Sequence, residues 1–194
     1  MKNLLLGLVT ILMFSINLAA QKSSKPARLF QKGQTDVQIG YGLLTTAVIV
    51  DHANAKMPPL TVKVDRMFSD NFSLGLSYTH SIHEAEPIIV PDGIFQRVTN
   101  NTRQIALRPT FHFTHLKNLD FYGGALLGVN IQKFSVDQGG FDYIQRHMGI
   151  KPKRNTFAYS AFIGGRYAIN KRWTAFGEIG FSAALLSVGI GYKI

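Results

Sequence analysis

The stretch Tyr78-Thr79-His80-Ser81-Ile82-His83-Glu84 brings a hydroxyl, two imidazoles and a carboxylate close together in the chain. Those are the groups of nucleophilic acyl transfer, in which a hydroxyl is hydrogen-bonded to a His that a carboxylate orients. On a strand, His80 and Ser81 point to opposite faces, whereas Ser81 and His83 share one. The simpler expectation is a histidine cluster at the base of a loop, so no catalytic residue is assigned. His112 and His115 also point apart, no His/Asp/Glu spacing recurs and there is no Cys. No metal site, cofactor, disulfide or thiol chemistry is therefore expected. Gly123-Gly124, Gly139-Gly140 and Gly164-Gly165 lack the context of a phosphate loop.

A second set of chemical groups is made of isolated charges: Asp36, Lys63, Asp65, Arg108, Arg166, Glu178 and Lys193. Each sits in a row otherwise composed of small or polar residues. A charge buried alone is costly, so these predict a mutually paired interior network drawn from Lys63, Asp65, Arg108, Arg166 and Glu178. Arg166 and Glu178 are expected to face each other across one tight turn.

The elements that must position these groups are strands. After a polar, basic stretch over 21–33, eight segments alternate apolar and polar residues: 34–44, 59–68, 71–82, 102–115, 119–132, 155–169, 172–182 and 185–194. In the third, Phe72, Leu74, Leu76 and Tyr78 oppose Ser73, Gly75, Ser77 and Thr79. In the seventh, Trp173, Ala175, Ile179 and Phe181 oppose Thr174, Glu178, Gly180 and Ser182. Tight turns at 69–71, 116–118 and 170–171 alternate with long polar links at 45–58, 83–101 and 133–154. Tight turns on one side and long loops on the other are the asymmetry of a membrane-spanning barrel.

Two barrels share this pattern. A soluble, lipocalin-like barrel turns its apolar face inward; a membrane barrel turns it outward. The polar rows here are dominated by Gly, Ser, Thr and Ala, which suits a narrow interior better than a watered surface. Filling so small a lumen with whole rows of Phe, Tyr, Leu and Ile would overpack it. Phe72, Phe113, Phe121, Tyr167, Trp173 and Tyr192 fall near the tight turns, and Tyr41, Tyr78, Phe157, Tyr159 and Phe181 near the long loops. That arrangement predicts two aromatic girdles. The fold expected is therefore all-β, a closed antiparallel eight-stranded transmembrane β-barrel over 34–194. Leu126, Phe162 and Phe176 are expected as apolar fill inside it, and Pro109 is expected to force a bulge or local break.

Residues 1–20 have the layout of a signal peptide: Lys2, an apolar run from Leu4 to Ile16, then Ala19-Ala20. Residues 21–33 are expected as a periplasmic lead-in. The formal net charge is +10, but the charges are scattered and only Lys151, Lys153 and Arg154 form a tight run. No nucleic-acid motif accompanies them, so no nucleic-acid partner is expected. With Arg146, that run reads as a loop contact for lipopolysaccharide phosphates.

The signal peptide, the eight alternating strands and the terminal SVGIGYKI together resemble the small outer-membrane β-barrel proteins of the OmpX, OmpW and OmpA-barrel kind. The resemblance implies that Ser187, Gly189, Tyr192 and Ile194 form the signal read by the barrel assembly machinery, with Ile194 in place of the usual Phe. It also implies location in the outer membrane of a Gram-negative-type cell envelope, amid lipid and lipopolysaccharide, and a non-enzymatic structural or surface-interaction role with an unidentified envelope or surface protein partner. The other readings are a narrow porin-like pore for small or hydrophobic solutes, a lipid A-modifying barrel enzyme and a secreted lipocalin-like barrel.

Overall fold

The structure, a computed structural model, describes residues 30–50, 53–85, 88–89, 95–113, 116–137, 141–149 and 151–194. The expected signal peptide and most of the lead-in lie outside the described residues, as does His115. Eight strands form the wall: β1 Thr35–Thr45, β2 Asn54–Ser69, β3 Phe72–Glu84, β4 Val98–His112, β5 Leu119–Val136, β6 Lys153–Ala168, β7 Trp173–Gly180 and β8 Ala184–Lys193. A short helix α1, Thr46–Val50, follows β1, and α2, Phe141–Met148, lies between β5 and β6. A small outer hairpin pairs Ile88–Ile89 with Phe95–Gln96.

Each wall strand pairs antiparallel with its neighbours in sequence, and β1 closes on β8. The closing register runs from Asp36↔Lys193 through Gly40↔Gly189 to Gly42↔Ser187. Closure leaves no strand edge along the seam, which is the condition for a sheet to cross lipid. No helix among the described residues is long and apolar enough to cross a membrane.

The alternation sorts the residues as a membrane requires. Leu76, Ile105, Leu107, Ile163, Ile179 and Ile190 are exposed on the outer surface, with Phe121, Tyr167 and Trp173 toward the tight turns and Tyr41, Tyr78, Phe157, Tyr159 and Phe181 toward the loops. Inside lie Asp36, Lys63, Asp65, Arg108, Asp120, Arg166 and Glu178, all buried. This is the inverse of a soluble barrel. A continuous apolar surface of that extent fits lipid rather than water.

The tight turns are chemically specified. Asn170 Oδ1 accepts the backbone N–H of Arg172 and of Trp173, both at 2.8 Å, a side-chain mimic of a backbone turn. Several strands run further outward than the alternation predicts: β2 starts at Asn54, β4 at Val98, and β5 continues to Val136. Beyond the apolar band both faces meet polar surroundings, so backbone pairing continues where the hydrophobic period has stopped.

The fourth strand ends at His112, and of the bulge or local break expected at Pro109 it shows the break, in one ladder, and no bulge. Leu74↔Pro109 stays in register with β3. Toward β5 the pairing passes from Leu107↔Leu127 to Thr110↔Gly124 with no register shift. The missing N–H of Pro109 thus interrupts one ladder locally, while continuous pairing on the other side holds the strand straight.

Candidate functional site in the barrel interior

The interior is stacked in rows. The central row is built on Glu178 of β7. Its Oε1 accepts from Lys63 Nζ at 2.7 Å, Arg108 Nη2 at 2.7 Å and the Tyr122 hydroxyl at 2.9 Å. Four strands therefore converge on one carboxylate oxygen. Arg108 Nε also faces Asp65 Oδ1 at 3.9 Å. Asp65, Gly75 and Arg108 lie side by side on β2, β3 and β4. A Cβ at Gly75 would run into Asp65 Oδ1, so glycine there keeps open the space the Asp65 carboxylate occupies. The cations also have aromatic floors: Lys63 Nζ lies 3.7 Å from the centre of the Phe176 ring, and the Arg108 guanidinium 4.0 Å from that of Phe162. The three apolar residues expected inside, Leu126, Phe162 and Phe176, are all buried there.

A second row lies toward the tight turns. Arg166 of β6 donates Nε to Asp120 Oδ2 at 2.7 Å and Nη1 to Asp36 Oδ2 at 2.9 Å. Asp120 Oδ2 also meets His112 Nδ1 at 2.8 Å, and His112 Nε2 meets Ser73 Oγ at 2.9 Å. The structure thus separates the expected pair: Arg166 stands opposite Phe176, and Glu178 opposite Gly164. Arg166 is two positions along the strand from Gly164, with Gly165 between them, enough to place the two charges in different rows.

Beneath this row sits Phe30, buried with Met67 and Ala168. The Arg166 guanidinium lies 4.0 Å from the ring centre and Lys193 Nζ 4.8 Å. The segment is tied down by Gly33 N–H to Met67 O at 2.8 Å and Met67 N–H to Gln34 O at 2.9 Å. Residue 30 therefore closes the turn-side mouth of the barrel. Phe30→Ala is expected to lower stability by about 3 kcal/mol, the usual cost of emptying a buried aromatic site. The urea midpoint of protein folded into vesicles checks it.

Ser73, His112 and Asp120 form the hydrogen-bond order of a nucleophile, base and orienting carboxylate. All three are buried, Asp120 is shared with Arg166, and neither described cavity is lined by any of them. Folded protein is therefore expected not to incorporate a fluorophosphonate probe at Ser73; labelling there, located by mass spectrometry, would contradict a sealed row. The sequence motif that first suggested acyl transfer is dispersed. Ser81 and His83 are buried, His80 meets Asn101 Oδ1 at 3.0 Å, and Glu84 is held by Lys56 and by Arg97 at 3.7 Å. No group of three or more His, Cys, Asp or Glu among the described residues could hold a metal.

Asp120 and Phe30 are the members that sequence reasoning missed. Asp120 has the parity of Tyr122 and Gly124 and so shares their inward face; its place beside a turn hid it. Phe30 had no periodic signal at all. Elsewhere, Ser187, Gly189 and Tyr192 lie on β8 and Ile194 follows it, its exposed side chain at the end of the seam. Arg146 is exposed on α2, and Lys151, Lys153 and Arg154 are exposed at the outer start of β6, with Lys133 across the ladder from Lys153.

These features define a closed antiparallel barrel with a paired, charged lumen and an apolar outer wall. Its fold is that of the small eight-stranded outer-membrane barrels. The N-terminal β-barrel domain of Pseudomonas aeruginosa OprF is 13% identical, with 84% of this chain and 99% of that chain covered and a TM-score of 0.50. Ail of Yersinia pestis, solved with the heparin analogue sucrose octasulfate, is 13% identical over 84% and 99%, with a TM-score of 0.51. OprG of Pseudomonas aeruginosa is 12% identical over 84% and 97%, with a TM-score of 0.52. No protein-family model matches the chain, and no curated protein does.

Proposed function

We propose that the protein is a non-enzymatic, integral outer-membrane barrel that works at its outer surface and conducts nothing through its lumen. The observation that carries this reading is the stack of interior rows. Formal charges balance in each: Lys63 and Arg108 against Glu178 and Asp65, then Arg166 and Lys193 against Asp36 and Asp120. Eight strands leave a lumen only as wide as its side chains, and here those side chains are paired and stacked on aromatic rings. A pore for small or hydrophobic solutes would have to break two such rows and displace Phe30.

The outer end supports contact with anionic headgroups. Lys133, Lys151, Lys153 and Arg154 are exposed on one crest above the girdle, where lipopolysaccharide phosphates would meet them. The signal peptide and the assembly signal in β8 belong to the same reading of export and insertion. Purified protein in planar bilayers is expected to show no large, stable openings. Replacing Lys151, Lys153 and Arg154 by Ser is expected to weaken binding to lipopolysaccharide-containing vesicles and to flatten its salt dependence. Stable channels in the bilayer, or undiminished vesicle binding by the variant, would overturn the respective halves of the reading.

A further inference from the structure

The wall is not of equal height. β7 has 8 residues, β8 10 and β1 11, whereas β6 has 16 and β5 18. β6 pairs with β7 only over Phe162–Ala168, and the bond from Phe181 N–H to Ala161 O, at 3.4 Å, is the outermost between them. Above it, among the described residues, the stretch 153–160 pairs with β5 alone. A notch therefore opens beside the outer half of β6, above the turn 181–183. That turn is fastened to α1 by Thr46 Oγ1 donating to Ser182 O at 2.6 Å and Thr46 N–H to Ala183 O at 3.2 Å. The notch is flanked by Phe157, Tyr159 and Phe181, which are 67%, 75% and 78% exposed. Those rings belong to the outer girdle, so the opening faces sideways at the membrane interface. An unpaired strand edge cannot face hydrocarbon, and it requires hydrogen-bonding company at that depth.

Behind the notch lies a cavity of about 350 Å³, within the range of small-molecule sites. Thr79, Ser81, Asn100, Thr102, Asn130 and Gln132 are among its lining, and no Asp, Glu, Lys or Arg is. Gln104 fixes the wall: its Nε2 donates to Asn130 Oδ1 at 2.9 Å and its Oε1 accepts from Ser182 Oγ at 3.0 Å. Thr102 Oγ1 donates to Asn100 Oδ1 at 3.0 Å. With both of those amide oxygens engaged, the nitrogens of Asn100 and Asn130 are among the donors left for a ligand, beside Ser81 and Gln132. Below, the Lys63–Glu178–Arg108 row shuts the lumen, so the cavity is blind.

We propose that this cavity holds the uncharged, hydroxyl-rich head of a single-chain amphiphile, and that the aliphatic tail leaves through the notch past Tyr159 and Phe181 into the outer membrane interface. The amides and hydroxyls match polyol oxygens, and with His83 as the one side chain in the lining that titrates near neutral pH, no Asp, Glu, Lys or Arg offers a charged head a permanent counter-ion. The aromatic flanks match the chain. The blind floor makes this a binding site and not a passage. The proposal rests on membrane insertion, which heat-modifiable migration on a gel checks separately for every variant.

The test uses the full chain folded into phosphatidylcholine vesicles. A radiolabelled alkyl glucoside, kept below its micellar concentration, is titrated in, and protein-free vesicles provide the partition background. Saturable binding above background is expected, about tenfold weaker for Asn130→Trp, which fills the cavity, and similarly weakened for Gln132→Leu. Removing the flanking rings, with Tyr159→Ser and Phe181→Ser together, is expected to erase the advantage of a longer chain. Glucose alone binding as well as the alkyl glucoside would replace the amphiphile by a soluble glycan and overturn the proposal. An alkyl sulfate binding equally well would show that the head is not recognised and would overturn it too, as would the absence of saturable binding by a folded, inserted protein.

Discussion

Glu178→Ala is expected to destabilise the folded barrel by about 3–5 kcal/mol, the cost of leaving buried charges without their partner. One carboxylate oxygen accepts Lys63, Arg108 and the Tyr122 hydroxyl at 2.7–2.9 Å. Its removal strands two cations on a wall with no water on its outer side. Arg108 retains Asp65 at 3.9 Å and the Phe162 face, and Lys63 keeps the Phe176 face. Urea titration of protein folded into vesicles, followed by the heat-modifiable band, measures the loss. Adding Lys63→Met to Glu178→Ala removes one stranded charge and is expected to recover part of it. A single variant within about 1 kcal/mol of the parent would mean that water reaches this row and that the interior is not the sealed stack described.

Gly189→Val is expected to prevent closure, with a penalty upward of about 3 kcal/mol. A Cβ at residue 189 would meet the carbonyl oxygen of Ile39 across the seam and the Phe176 ring at 2.5 Å. The carbonyl belongs to the closing ladder and cannot yield without opening it. Gly40, its partner in register, is the second bare position over the same ring: a Cβ there would stand 3.1 Å from Phe176 Cζ. The two glycines make the hollow in which Phe176 lies, and Phe176 in turn floors Lys63. Refolding of purified protein into vesicles, with no assembly machinery present, separates this packing role from recognition of the strand. Loss of the folded band in that setting is the expected result. A variant that refolds there but fails to assemble in cells would instead assign Gly189 to recognition alone.

The interior of Glu178 and Gly189 bears on what a sequence can carry. Strand identity, strand order and the inward face were legible, because lipid and a narrow lumen force an alternation of two residues and select their sizes. Lys63, Asp65, Arg108 and Glu178 were legible as a paired group for the same reason: four isolated charges on inward parity have nowhere else to go. Which charge meets which was not. Arg166 and Glu178 share a hairpin, yet a two-residue offset sends them to different rows. Such offsets depend on turn length and strand tilt, which periodicity does not record. The outer ends of β2, β4 and β5 were hidden because hydrophobic contrast vanishes once both faces are wet. The notch beside β6 was hidden likewise, since it arises from a difference in strand lengths and not from any residue pattern.

Phe30 carries a consequence for the order of events. It precedes β1, yet its neighbours are Met67 on β2, Ala168 and Arg166 on β6, and Lys193 on β8. That socket does not exist until the eighth strand has met the first. A residue near the start of the wall must therefore be the last to settle, and its burial is a clock hand that moves only after the seam is shut. A fluorophore or fluorinated ring at this one position would time the final step of assembly directly, with every earlier stage dark.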